Sequence, residues 1–146
     1  MDLTFAQRHA IRIRIDVARQ ELADLQRFRE LTRQQYRSDR DRRRIVERII
    51  ETVADVVVDI AKILGSATGH PMPAACRETM RSLAGVGLAS EEQAEALTIL
   101  AELRKTLTYR YLDDNWQGVR WFLVQGSQTV VQWLNRCHKL VTPYPE

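Results

Sequence analysis

Several things are scarce in this 146-residue chain. Glycine occurs six times and proline four times. Both cluster in short stretches, so the sequence offers few turns for an all-β fold and little of the composition of a disordered one. Cysteine occurs twice, as Cys76 and Cys137. Two such residues make no disulfide framework and no zinc site, and reduced buried thiols are expected. No apolar run approaches the roughly 18 residues that a membrane span requires. The first fourteen residues are polar and charged, unlike a secretory signal. A soluble, cytoplasmic protein without membrane contact is the resulting expectation. Also missing are a glycine-rich phosphate loop, a nucleophile triad and any pair of histidines at ligand spacing. His9, His70 and His138 lie far apart in sequence, and neither a metal nor a cofactor is expected.

Apolar residues are plentiful, at 45% of the chain. That suffices for one core, and residues 1–146 are read as a single helical domain. The formal net charge of +3 is unevenly spread. Residues 1–48 hold 13 Arg against 8 acids, while the remainder is slightly acidic. Arginine dominates the basic residues, and its planar fork pairs with carboxylate or phosphate. The arginine-rich flank is either the solvated face of long helices or a surface that attracts RNA or an acidic protein.

Periodicity predicts helices throughout. Ile11, Ile15, Ala18, Leu22, Leu25, Phe28 and Leu31 form a narrow seam, predicting one helix from about Thr4 to about Tyr36. Ser38 and Asp39 supply a cap for a second helix. Its broad apolar face, from Ile45 to Leu64, makes it the central one. A Gly/Pro stretch over 65–73 breaks the pattern. A short helix is predicted over about 74–84. Ser90-Glu91-Glu92-Gln93 reads as a capping box for a helix reaching about Tyr111. A last helix begins near Trp116. The predicted fold is all-α, an up-and-down bundle of four long helices with one additional short helix.

Two constellations carry chemical interest. In the second helix, Glu47, Glu51, Asp55 and Asp59 recur every four residues and stack like charges on one face. Arg44, Arg48 and Lys62 are local candidates to compensate them. The ladder is either a solvated face, or Asp55 or Asp59 orients an arginine from another helix, such as Arg104. The second constellation is Arg104-Lys105-Thr106-Leu107-Thr108-Tyr109-Arg110-Tyr111. Arg104 and Tyr111 are seven apart and share a helical face, whereas Tyr109 lies off it.

This stretch resembles the R-N-x-L-x-H-x-Y motif of HepT-like HEPN proteins, the toxin half of HEPN/nucleotidyltransferase toxin–antitoxin pairs. Arg104, Leu107 and Tyr111 stand at the motif's Arg, Leu and Tyr. The Asp55-x-x-x-Asp59 element, the short helix closing on Gly, and Asp113-Asp114 ahead of an aromatic-rich last helix are similar too. Tyr109 stands where the family has His, and Lys105 where it has Asn. The resemblance implies metal-independent RNA cleavage, on tRNA or mRNA, in which the ribose 2′-hydroxyl attacks the neighbouring phosphate. In the family the His moves the proton and the Arg steadies the phosphorane charge. A phenol, with an ordinary pKa near ~10, is a poor base at neutral pH beside imidazole at ~6.5. The resemblance therefore admits a weak or reorganised ribonuclease, with Arg104 and Tyr109 as catalytic residues and Asp55 and Asp59 in support. It equally admits a non-catalytic homologue that binds RNA or a nucleotidyltransferase. Lys105 and Arg110 are candidates for RNA-phosphate contacts. A homodimer is implied, with both motifs facing a shared cleft. So is an antitoxin of the minimal nucleotidyltransferase type that transfers AMP to Tyr111.

Overall fold

A computed structural model describes residues 2–69, 76–110, 112 and 114–142, with the backbone alone for 76 and 77. The described residues contain helices and no strand. In chain order these are α1 (Phe5–Leu25), α2 (Arg33–Ser38), α3 (Arg40–Ala67), α4 (Cys76–Gly85), α5 (Glu91–Tyr109), α6 (Trp116–Trp121) and α7 (Ser127–Val141). The expected all-α bundle is what the chain forms. Its four long pieces are α1, α3, α5 and the α6–α7 rod.

Local sequence sets the starts. Thr4 and Ser90 each accept a hydrogen bond from the backbone N–H three residues on, and Gln7 and Gln93 reach back to complete capping boxes. Asp39 caps α3 and accepts from the Arg42 N–H. Such caps satisfy N–H groups that have no partner within the helix.

The first helix is not continuous to Tyr36. It ends at Leu25, tightens into a 3₁₀ turn over Gln26–Phe28, and restarts as α2. Thr32 is the reason: its hydroxyl accepts from Gln35 N–H while the Gln35 side chain returns to Thr32 N–H. That capping box fixes Thr32 in extended backbone. The apolar seam nevertheless runs on, with Phe28, Leu31 and Tyr36 all buried.

α3 is the hub. It buries twelve residues, among them Val46, Ile50, Val53, Val57, Ile60 and Leu64, and packs against α1, α2, α4, α5 and α6. Glu51 and Asp55 of α3 meet Thr108 and Arg104 of α5. As one number rises by four the other falls by four, so the two helices run antiparallel.

The last helix carries one irregularity. Between α6 and α7 the chain widens into a π-helical turn over Phe122–Gly126. Trp121 lies against Gly126 so closely that a Cβ there would meet three ring atoms within 2.8 Å. The extra residue of the π turn makes room for the indole, and Phe122 and Leu123 remain in the core.

Among the described residues, no helix is long and apolar enough to cross a membrane.

Candidate functional site

Each rung of the acidic ladder on α3 meets a group from elsewhere in the bundle. Tyr36 of α2 donates its hydroxyl to Glu47 at 2.9 Å, and Arg43 donates to the same oxygen at 3.1 Å. Thr108 of α5 donates to Glu51 at 3.3 Å. Arg104 Nε donates to Asp55 Oδ1. Arg14 of α1 reaches Asp59 at 3.5 Å. Among the described residues, the local compensation expected from Arg44, Arg48 and Lys62 is not what the structure uses; the one local partner is Arg43, four residues before Glu47 on α3 itself. Those cations share the ladder's helix, whereas three neighbouring helices place donors directly against it.

The Arg104–Asp55 pair is half-exposed, at 38% and 49% of the side chains. At that exposure an ion pair adds about 0–1 kcal/mol at most. Its consequence is orientation: with Nε held by Asp55, the guanidinium is fixed at the wall of a groove.

That groove lies between α3 and α5 and encloses about 660 Å³. Asp55, Asp59, Arg104, Lys105 and Tyr109 all line it, joined by Lys62, Glu78 and Glu102. From α5 the row Ala101, Lys105 and Tyr109 repeats every four residues along one face. Lys105 and Tyr109 are thus neighbours, although Tyr109 stands off the Arg104 face. Tyr109 is 71% exposed at the open end. Arg110 lies outside the groove lining, at the C-terminal cap of α5. Tyr111 and Asp113 lie outside the described residues. Lys62 and Glu78 are groove residues that the sequence does not reveal as such. The one signal it offers is the 55–59–62 spacing, which puts Lys62 on the face of the two aspartates. Among the described residues, no cluster of three or more His, Cys, Asp or Glu side chains is arranged to hold a metal ion.

The turn that follows the motif is clamped from far along the chain. Asp114 accepts from Arg33 at 2.7 Å and also from Arg37, while its other oxygen accepts from the Trp116 N–H at 3.1 Å. Asn115 reaches back to the Arg110 carbonyl at 3.4 Å. The Trp116 ring lies 5.4 Å from that of Tyr36. Burial, followed by the charge of Glu47, pushes the Tyr36 phenol above its ordinary range, so it stays a donor. The two arginines, Arg33 first, and the Trp116 N–H hold the Asp114 carboxyl well below the usual carboxylate range.

A pH prediction follows. A depressed folded-state pKa contributes stability that is present above the unfolded value and lost as pH falls through the folded one. Asp114→Asn should therefore lower Tm at pH 7, and its deficit against the parent should shrink progressively below about pH 4. Thermal melts across the acid range check this. A constant deficit would mean that the Asp114 charge does not hold the turn. Because the clamp is exposed, the neutral-pH deficit should also shrink in high salt.

Similarity to known proteins agrees with this architecture. Over 88% of this chain and 96% of the other, the fold matches the crystal structure of a toxin–antitoxin with AMP-PNP, at a TM-score of 0.77 and 15% identity. A second match, at 0.77 and 16% identity over 92% and 90% of the two chains, is YutE from Bacillus subtilis, described as a cytosolic protein of unknown function. A search of curated protein sequences gave no significant match. The sequence profile of the ribonuclease HepT-like family matches residues 18–130. The chain belongs to that HEPN family.

Proposed function

We propose that this chain is the toxin-like member of a HEPN/nucleotidyltransferase pair and that the α3–α5 groove is a ribonuclease-type site. The observation that carries the reading is the arrangement of Arg104. Asp55 fixes it on the wall of a groove that also holds Lys105 and Tyr109. A guanidinium so oriented is suited to the charge that gathers on phosphate when a ribose 2′-hydroxyl attacks it. No metal is needed for that step. In this reading Arg104 and Tyr109 act on the substrate, Asp55 and Asp59 orient the arginines, and Lys105 and Arg110 contact RNA phosphates.

The proposed partner is a nucleotidyltransferase antitoxin that transfers AMP to Tyr111. The tyrosyl oxygen bonds to the α-phosphorus of ATP and pyrophosphate leaves. That the similar toxin–antitoxin was crystallised with AMP-PNP, an ATP analogue, supports an adenine-nucleotide link. A homodimer that joins two grooves is proposed as well. The high exposure of Tyr109 and of Leu112, at 71% and 88%, favours a second copy there.

The test is incubation of purified protein with a total tRNA and mRNA pool in excess EDTA, beside Arg104→Ala. Cleavage should appear in the parent and fall by about 10²–10³ in the variant, the usual cost of removing a transition-state donor. Cleavage that persists in Arg104→Ala would remove the groove from the mechanism. A second reading, a non-catalytic dimer that binds RNA or the nucleotidyltransferase, is favoured by one observation: Tyr109 stands where imidazole would move the proton. RNA or partner binding without cleavage would support it.

A further inference from the structure

The groove extends well beyond the motif, and its far end holds a cation that the motif does not include. Lys62 lies seven residues past Asp55 on α3, about 10 Å along the helix axis at 1.5 Å per residue. Because α3 and α5 run antiparallel, that displacement leads away from Tyr109, which lies about 8 Å from Arg104 in the opposite direction. Lys62 and Tyr109 therefore stand at opposite ends of one continuous groove, with Arg104 between them.

The charges in the groove are not equally engaged. Arg104 is bound to Asp55, and Asp59 is held by Arg14. Lys62 and Lys105 form no ion pair or hydrogen bond among the described residues. A flexible ammonium without a fixed partner is a point-charge ligand for phosphate. With both aspartates already matched by arginines, the α3 wall presents Lys62 as its uncommitted charge. Glu78 and Glu102 line the same groove and oppose an anion there.

We propose that the groove is a track for an extended single strand of RNA, and that Lys62 binds a backbone phosphate distinct from the one at Arg104. Lys62 stands about 10 Å along the helix axis from Asp55, which holds Arg104, and an extended strand offers successive phosphates along that line. This inference rests on the ribonuclease-type reading of the same site, and it names the substrate class as a strand rather than a nucleotide. Lys62 sets which substrates are held; it is not itself a catalytic residue.

The experiment uses a labelled 2′-O-methyl oligouridylate of about 12 nucleotides, which cannot be cut because its 2′-oxygen is blocked. Binding is followed by fluorescence anisotropy against salt. One phosphate contact on single-stranded RNA contributes about 0.7 to the slope of log K against log salt. Lys62→Gln should flatten the slope by about that amount and weaken the long strand, while competition by the 2′-O-methyl dinucleotide stays unchanged. Glu78→Gln should tighten the long strand. Lys139→Gln, on the exposed last turn of α7, is the control for net charge. If Lys62→Gln behaves like Lys139→Gln, or weakens the dinucleotide equally, the track is wrong while the site can stand. If the parent itself binds no RNA, the ribonuclease-type reading fails and the track with it. Melting curves separate both results from a folding defect.

Discussion

Tyr109→His should raise metal-independent RNA cleavage by about 10²–10⁴, the usual contribution of a positioned acid/base group. The substitution restores the only motif position at which this chain lacks a group able to exchange protons at neutral pH. Imidazole does so with an ordinary pKa near ~6.5, whereas a phenol keeps its proton there. The site can accept the change. Tyr109 is 71% exposed at the open end of the groove, so a smaller ring removes no core contact. Arg104 needs no rearrangement, since Asp55 holds it independently of Tyr109. The check is RNA cleavage in excess EDTA by Tyr109→His, with Arg104→Ala added in the same background. The double variant should lose about 10²–10³ of the activity of Tyr109→His. Two outcomes are informative. A gain that vanishes with Arg104 identifies a nuclease scaffold that Tyr109 silences. No gain, with RNA still bound and no cleavage by the parent, makes the non-catalytic reading the correct one.

Trp133→Ala should be the most damaging single truncation for stability. The indole is fully buried, and its Nε1–H donates to the Leu88 carbonyl at 3.1 Å. Removing a large buried aromatic costs about 3–5 kcal/mol in lost packing and residual cavity. The orphaned carbonyl adds about 1–3 kcal/mol. The contact also ties α7 to the turn ahead of Ser90, so the start of α5 loses its brace. Against a typical total stability of about 5–15 kcal/mol, such a change removes a large share of what holds the domain folded. A Tm fall of more than about 10 °C is expected by calorimetry. Trp133→Phe keeps most of the volume and should cost clearly less. Equal losses for the two variants would mean that the hydrogen bond, not the packing, dominates.

Much of the helical framework is written in local signals. Ser90 and Gln93, and Asp39 ahead of α3, mark their helix starts plainly. The broad apolar face of α3 also announces its central place. The break near residue 30 is hidden because Phe28 and Leu31 continue the seam at helical spacing across it. The Thr32-x-x-Gln35 box, the same signal that marks Ser90, stands there in the sequence. The π turn is less accessible, since it depends on the Trp121 ring lying over Gly126. For the site, four acids in register raise the possibility that an arginine answers one of them, and Arg104 does so at Asp55. Arg14 against Asp59 is not legible, because it depends on how α1 packs on α3. Lys62 reads as a charge compensator for its own helix; only the antiparallel pairing of α3 with α5 makes it part of a groove.

The clamp of Arg33 and Arg37 on Asp114 joins segments about eighty residues apart. The groove itself takes one wall from residue 55 onward and the other from 101–109. During synthesis from the N-terminus, neither wall can meet the other until α5 has cleared the ribosome, and the motif turn is not fastened until Asp114 follows. Arg33 and Arg37 are therefore made long before their shared acidic partner. A nascent chain emerging from a ribosome, itself largely RNA, carries exposed guanidinium groups but no assembled site. The order of the elements thus delays whatever chemistry the groove performs until α5 and Asp114 have both been made.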